Sequence, residues 1–285
     1  MRWPGSGSDE NDDWNPKRPV SKWNEKLNAI DWQHYTEPRQ VIPTLLLTAT
    51  TLFFVRVYKS YLRRIPSVNH IKPGFFRERS LFGTVTRVGD ADNFHLFHTP
   101  GGRLVGWGWL PGRKIPASGK ELMSKTIHIR IAGIDAPELA HFGRPAQPFS
   151  QEAQNWLKDF ILNRRVRAHI YRRDQYDRVV ASVTVRRGLF RRDVGLEMLR
   201  AGLATVYEAK TGSEFGNLEQ KYKDAEAKAK EGRVGMWTQP SVLGRFFSKP
   251  KEKLESPREY KDRMKAEEAK LAQQKDTKEK RQVKK

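Results

Sequence analysis

The sequence predicts a mainly β chain with α: a five-stranded barrel of the OB type carrying helices, preceded by a single transmembrane helix. Three observations point there. Short apolar stretches of period two recur between residues 81 and 185, amphipathic helical patterns lie between and after them, and residues 41 to 55 carry no charge. The 285 residues suffice for one compact domain with appendages, and the 8 Trp, 8 Tyr and 14 Phe supply large apolar side chains for a core.

Residues 1 to 40 are rich in Gly, Ser, Asn, Asp and Pro, with Asp9, Glu10, Asp12 and Asp13 clustered, and are expected to be disordered. This acidic composition is unlike that of a cleaved mitochondrial presequence. The run from Val41 to Tyr58, VIPTLLLTATTLFFVRVY, then reaches Arg56, Lys59, Arg63 and Arg64. At 1.5 Å per residue, about 18 to 20 residues cross roughly 30 Å of hydrocarbon, so the run suffices if Arg56 snorkels and Tyr58 and Tyr61 sit at the interface. Forty residues precede it and no small-residue cleavage site follows, which separates it from a signal peptide. A basic linker, 59 to 79, leads to a domain expected over 80 to 240.

Within that domain LFGTVTRV, NFHLFH and TIHIRIAGI read as an antiparallel meander, since Ile127, Ile129 and Ile131 alternate with His128 and Arg130. An insert from about Thr99 to Ser124 has the glycines and prolines of a long ordered loop. A helix is predicted from about Pro148 to Leu162, with Ser150 as cap and Ala153, Trp156, Leu157, Phe160 and Ile161 on one face. Two strands, RVRAHIYRRD and RVVASVTV, then precede helices near 193 to 201 and 218 to 231. Strands clustered ahead of the late helices fit a small barrel better than a parallel sheet. The tail, 241 to 285, is Lys- and Glu-rich with few large apolar residues and reads as a solvated helix or disorder.

Charge and composition narrow the chemistry. Lys and Arg number 54 against 33 Asp and Glu, a net of +21, which favours an anionic partner such as nucleic acid or a membrane surface. With no cysteine, disulfides, thiolate zinc sites and cysteine nucleophiles are excluded, so any metal sits on oxygen or imidazole. Asp90 and Asp92 follow the first strand; Asp135 and Glu138 follow the third in GIDAPE. Carboxylates brought together at strand ends suit a hard cation, Ca²⁺ or Mg²⁺, and Arg130 and Arg178 beside them supply fixed guanidiniums for a phosphodiester transition state. Taken singly, Arg130 reads as an exposed strand residue and Asp135 as a turn residue. His95, His98 and His128 lack metal-box spacing.

Six motifs in order, GDADN (89–93), IRIAGIDAPE (129–138), QPFSQEA (147–153), RDQYDRVVASV (173–183), AGLATVY (201–207) and GMW (235–237), resemble the thermonuclease, or staphylococcal nuclease-like, family over roughly Ser80 to Pro240. The resemblance implies a Ca²⁺-dependent phosphodiesterase on an OB-fold barrel. Carried over residue by residue, it gives Asp92 and Asp135 to the metal, Glu138 to the attacking water, and Arg130 and Arg178 to the phosphate. It also gives Tyr176 and Tyr207 to nucleotide stacking, and Asp90 to a supporting or turn role. Ala136 stands where a threonine is common, but its backbone carbonyl is still available to a cation. With the apolar run, the chain resembles the membrane-attached fungal members assigned to mitochondria, hence an endonuclease acting on DNA, RNA or both. The alternative is a membrane-tethered OB module that binds nucleic acid without cleaving it; replacement of Asp92, Glu138 or an arginine would mark it, and none is replaced. No protein partner is identifiable.

Overall fold

A computed structural model of the chain describes residues 37–117, 119–140, 144–207, 214–238 and 256–283. The disorder expected over most of residues 1 to 40 lies outside these. The chain divides into two compact units, Met1–Ser60 and Tyr61–Lys285.

In the first unit α1 spans Pro38–Val57. Its 20 residues cover about 30 Å at 1.5 Å per residue, and none of them is buried. A helix apolar on all sides has no stripe to turn toward a protein core. The hydroxyls of Thr44, Thr48, Thr50 and Thr51 donate to the carbonyls of Gln40, Thr44, Leu46 and Leu47, which satisfies them within the helix. The helix and the turn after it, Pro38–Leu62, are long and apolar enough to cross a membrane.

The second unit holds the barrel. Its strands are β1 (Ser80–Asp90), β2 (Asn93–His98), β3 (Ile127–Ile131), β5 (Arg165–Arg173), β6 (Val179–Arg187) and β7 (Phe190–Asp193), with a two-residue pair, β4 (Ile134–Asp135) and β8 (Thr205–Val206), beside them. The sheet runs β3-β2-β1-β5-β6-β7, antiparallel throughout, and a parallel pairing of β3 with β6 closes β3, β2, β1, β5 and β6 into a ring of five strands, with β7 outside it on β6. Val85, Phe94, Leu96, Ile129, Ile170 and Val183 fill the interior with no solvent exposure, so closure pairs the free edge of β3 and takes the apolar face out of water.

Helix α2 (Gly119–Leu122) is one turn within the insert. Helix α3 (Ser150–Ile161) buries Ala153, Leu157 and Ile161 under the barrel, as its period implied; Ser150 is its first helical residue rather than its cap, a place taken by Phe149. Helix α4 (Val194–Arg200) is capped by Asp193, whose carboxylate accepts from Leu196 N–H at 2.8 Å and from the Tyr222 hydroxyl at 2.7 Å. Tyr222 comes from α5 (Glu219–Glu231), so one carboxylate ties two helices to the end of β7.

The charged tail forms a helix, as one of its two sequence readings has it, but that helix is not wholly solvated. Its helix α6 (Pro257–Val283) buries Tyr260 and Met264. The two lie four residues apart, on one face of a helix otherwise dominated by charge.

Candidate active site

The site forms where β1, β2, β3 and β6 meet at one end of the ring. The β1–β2 turn presents Asp90 and Asp92, and β2 pairs with β3 so that Asn93 faces Arg130. Arg130 in turn pairs with Val180 across the parallel β3–β6 ladder, which puts Arg178, just ahead of β6, beside it. Gly133, at φ +74°, reverses the chain after β3; a Cβ there would meet the rings of Phe215 and Tyr222 at 2.7 to 3.0 Å. That turn carries Asp135 back toward Arg130, and β4 is fixed by its pairing with β8, where Thr205 Oγ1 donates to the Asp135 carbonyl at 3.2 Å.

Arg130 bridges the two acids. Its Nε donates to Asp92 Oδ2 at 2.9 Å and its Nη2 to Asp135 Oδ1 at 3.5 Å. Burial works to raise the Asp92 carboxyl, but the charges of Arg130, Arg178 and Lys261, with a hydrogen bond from Asn93, outweigh it and hold the group below the ordinary carboxylate range. Asp135, only 5% exposed, is pushed up by burial, and Lys261 offsets part of that push. Asp90 is raised by burial, with the negative charges of Asp92 and Glu138 adding to it. The Asp90 side chain accepts from Ala91 N–H at 2.8 Å, which closes the turn that presents Asp92.

Arg178 donates from Nε to Asp174 Oδ2 at 2.7 Å, and the other Asp174 oxygen accepts the backbone N–H groups of Tyr176 and Arg178. Asp174 therefore orients Arg178. Each arginine has an aromatic neighbour: Arg130 lies 5.0 Å from the Tyr207 ring centre and Arg178 5.2 Å from that of Tyr176.

Glu138 is held through its backbone. Its N–H donates to Gln147 Oε1 at 3.2 Å and its carbonyl accepts from Gln147 N–H at 2.9 Å, and Gln147 is buried. Gln147 opens the QPFSQEA motif, but sequence gave no hint that its amide pins Glu138. Less visible still was Lys261, on the first turns of α6. Its Nζ lies 2.7 Å from Asp135 Oδ1 and 3.2 Å from Glu138 Oε1, while α6 is fastened by an Arg144–Glu268 ion pair at 2.7 Å and by a hydrogen bond from the Tyr260 hydroxyl to the Pro145 carbonyl.

Among the described residues no three His, Cys, Asp or Glu side chains gather closely enough to cage a metal by themselves. Asp92 and Asp135 offer a pair of carboxylates, and the ammonium of Lys261 already stands in for a cation on one of them. Such a donor set fits a hard cation that completes its coordination with water or backbone oxygen, not a closed structural metal. The strand histidines have partners of their own: His95 and His128 stack at 4.5 Å, His128 Nε2 lies 3.1 Å from Asn93 Oδ1, and His98 Nδ1 accepts from Ile65 N–H at 2.9 Å.

The chain is similar to a known family and to named proteins. A model of the staphylococcal nuclease homologue family matches residues 128–239. A "Probable endonuclease lcl3" of Sclerotinia sclerotiorum is 67% identical over 246 residues, 86% of this chain and 89% of the relative. Its namesake in Botryotinia fuckeliana is 64% identical over 258 residues, 90% of this chain and 93% of the relative. One in Pyricularia oryzae is 62% identical over 263 residues, 92% and 96%. Similarity of this extent, over a barrel with this strand order, leaves one conclusion: the chain belongs to the staphylococcal nuclease homologue family.

Proposed function

We propose that the chain is a membrane-anchored, calcium-dependent endonuclease that hydrolyses phosphodiester bonds of DNA, RNA or both. The observation that carries the reading is the Asp92–Arg130–Asp135 bridge with Arg178 beside it, two fixed guanidiniums and two carboxylates at one end of the barrel. Membrane attachment rests on α1. A mitochondrial location rests on the resemblance to fungal members assigned there, and on nothing else.

Asp92 and Asp135 are the residues that would hold the calcium ion, which when bound supplies positive charge toward a phosphate oxygen. Arg130 and Arg178 bind the scissile phosphate, and their forks take up charge as it accumulates on the phosphoryl oxygens. Glu138 accepts the proton of the attacking water, its carboxylate aimed by the Gln147 clamp on its backbone. Tyr176 and Tyr207, each already beside one of the arginines, flank the nucleotide by stacking. Asp90 and Asp174 support Asp92 and Arg178 respectively.

A second reading, a binding module without turnover, draws on the Lys261 ammonium between Asp135 and Glu138. Incubating the full-length chain with plasmid DNA and with RNA, in Ca²⁺, Mg²⁺ or EDTA, separates the two. Cleavage that EDTA abolishes supports the enzyme; retention of nucleic acid with no cleavage in either cation supports the module.

A further inference from the structure

The end of the barrel remote from this site carries a second concentration of positive charge. Arg173 and Val179 end the β5–β6 hairpin near the site, whereas Arg165 and Val185 lie at its other end, roughly 26 Å along the strand at about 3.3 Å per residue. There the outward faces of β1, β5 and β6 and the insert after β2 enclose an open groove of about 830 Å³. Arg165 and Arg167 face outward because they alternate with buried Val166 and Ala168. The insert is held close: Thr99 N–H donates to the Phe82 carbonyl at 2.8 Å, and a Cβ on Gly102 would meet the Phe82 ring at 2.7 Å.

Six arginines, Arg103, Arg164, Arg165, Arg167, Arg186 and Arg191, line the groove, and among the described residues no carboxylate does. Their contacts are weak ones. Arg167 reaches Ser80 Oγ at 3.3 Å and the Phe82 ring at 5.6 Å, and Arg186 reaches the Gly188 carbonyl at 3.2 Å. So dense a cluster repels itself, and burial together with the charge of Arg103 lowers the Arg165 guanidinium from its ordinary value. Such an arrangement is complementary to several phosphates at once.

Two apolar tips border the groove. The insert exposes Leu104 at 96%, with Trp109 and Leu110 beyond it, and the β6–β7 turn exposes Leu189 at 85% and Phe190 at 68%. Trp109 is oriented, its indole N–H donating to the Arg103 carbonyl at 2.8 Å. A nucleic acid backbone would use the arginines and leave the fully exposed leucines in water. A lipid interface uses both, since phosphates lie at the headgroup level and the acyl boundary beneath them accepts leucine, tryptophan and phenylalanine.

We infer that this groove and its two tips form a docking surface for an anionic phospholipid bilayer, with the arginines on lipid phosphates and Leu104, Trp109, Leu189 and Phe190 in the headgroup–acyl boundary. The inference goes beyond the proposed catalysis and does not depend on it. It draws added weight from α1, which ends at Val57 with β1 beginning at Ser80, so that an anchored chain holds the domain at high effective concentration near lipid.

The test uses the full chain mixed with or reconstituted into vesicles of phosphatidylcholine, with or without phosphatidylserine, carrying brominated acyl chains. The difference in tryptophan quenching between the wild type and Trp109→Phe isolates Trp109. Docking predicts Trp109 quenching that needs phosphatidylserine, declines as salt is raised, and falls several-fold in an Arg103→Glu, Arg165→Glu, Arg191→Glu variant whose circular dichroism matches the wild type. Trp109 that stays unquenched in every lipid overturns the proposal, whether or not the charge variant folds. So does an oligonucleotide that shields Trp109 where lipid does not, which would assign the groove to nucleic acid. Failure of the anchor is read separately: a chain freed by alkaline carbonate must still float, salt-reversibly, with phosphatidylserine vesicles for docking to stand.

Discussion

The ammonium of Lys261 lies 2.7 Å from Asp135 Oδ1, although the two residues are 126 positions apart in the chain. The charges of Asp135, Glu138 and Asp92 outweigh the cost of burial and raise the Lys261 ammonium above its ordinary value, so it is a cation at any physiological pH. A divalent cation held as proposed by Asp92 and Asp135 would compete with this ammonium for the same carboxylate. Lys261→Ala should therefore bind Ca²⁺ more tightly, by about tenfold, which is about 1.4 kcal/mol. Calorimetric titration of the full chain measures it, and equal affinities in the two proteins would show that the ion pair does not compete.

Asp92 and Asp135 should respond in the opposite sense. Asp92→Ala or Asp135→Ala should weaken Ca²⁺ binding in the same calorimeter, with cleavage partly restored at high Ca²⁺ if the remaining carboxylate suffices. An unchanged binding isotherm for both variants would place the cation elsewhere.

Glu138 and the arginines should separate kinetically. Glu138→Gln keeps the backbone clamp to Gln147 but removes the proposed base, so it should lose turnover while retaining most substrate binding. Arg130→Lys and Arg178→Lys keep charge and lose the fork, and each should slow turnover by about a hundredfold. Single-turnover rates against oligonucleotide binding would measure this split; near wild-type rates in folded Glu138→Gln and Arg178→Lys would remove these residues from catalysis.

His98 should tie stability to pH. Burial, with the charge of Arg64 beside it, lowers the imidazole to about 4, and its Nδ1 must stay unprotonated to accept from Ile65 N–H. The unfolded chain protonates first, near an ordinary value of about 6.5, so this stabilisation is complete above that pH and is lost as pH falls toward about 4. Thermal melts should show Tm falling across that window. His98→Gln should begin lower at neutral pH and fall less steeply; parallel curves would assign the acid sensitivity to other groups.

For α1, alkaline carbonate is the direct probe. A single apolar span predicts that the full chain stays with the membrane pellet, and complete release into the supernatant would exclude a spanning helix.

Local patterning made much of the barrel legible, because alternation of apolar and polar residues sets both strand and face. The Ile127–Ile131 stretch and the Ala153, Leu157, Ile161 face lie where their periods put them. The β4–β8 pair escaped notice, since two residues a side are too few to show any period. Asp92 and Asp135 are expected together because both lie at strand ends, and Arg130 hydrogen-bonds to both. Lys261 was hidden for a physical reason: in a lysine-rich run one lysine looks like any other. The usable signal was Tyr260 and Met264, large apolar residues at helical spacing in a tail that otherwise has few.

Parallel pairing of β3 with β6 requires Ile129 to meet Val179, so the ring has no closed precursor while the ribosome is still making β5. Synthesis from the N-terminus delivers α1 well before that point. Whatever α1 engages, it can engage while the barrel downstream is still an open meander. Emergence of α1 and closure of the barrel are thus separated in time by the chain's own order, and the unclosed edge of β3 is the surface a chaperone would have to shield in the interval.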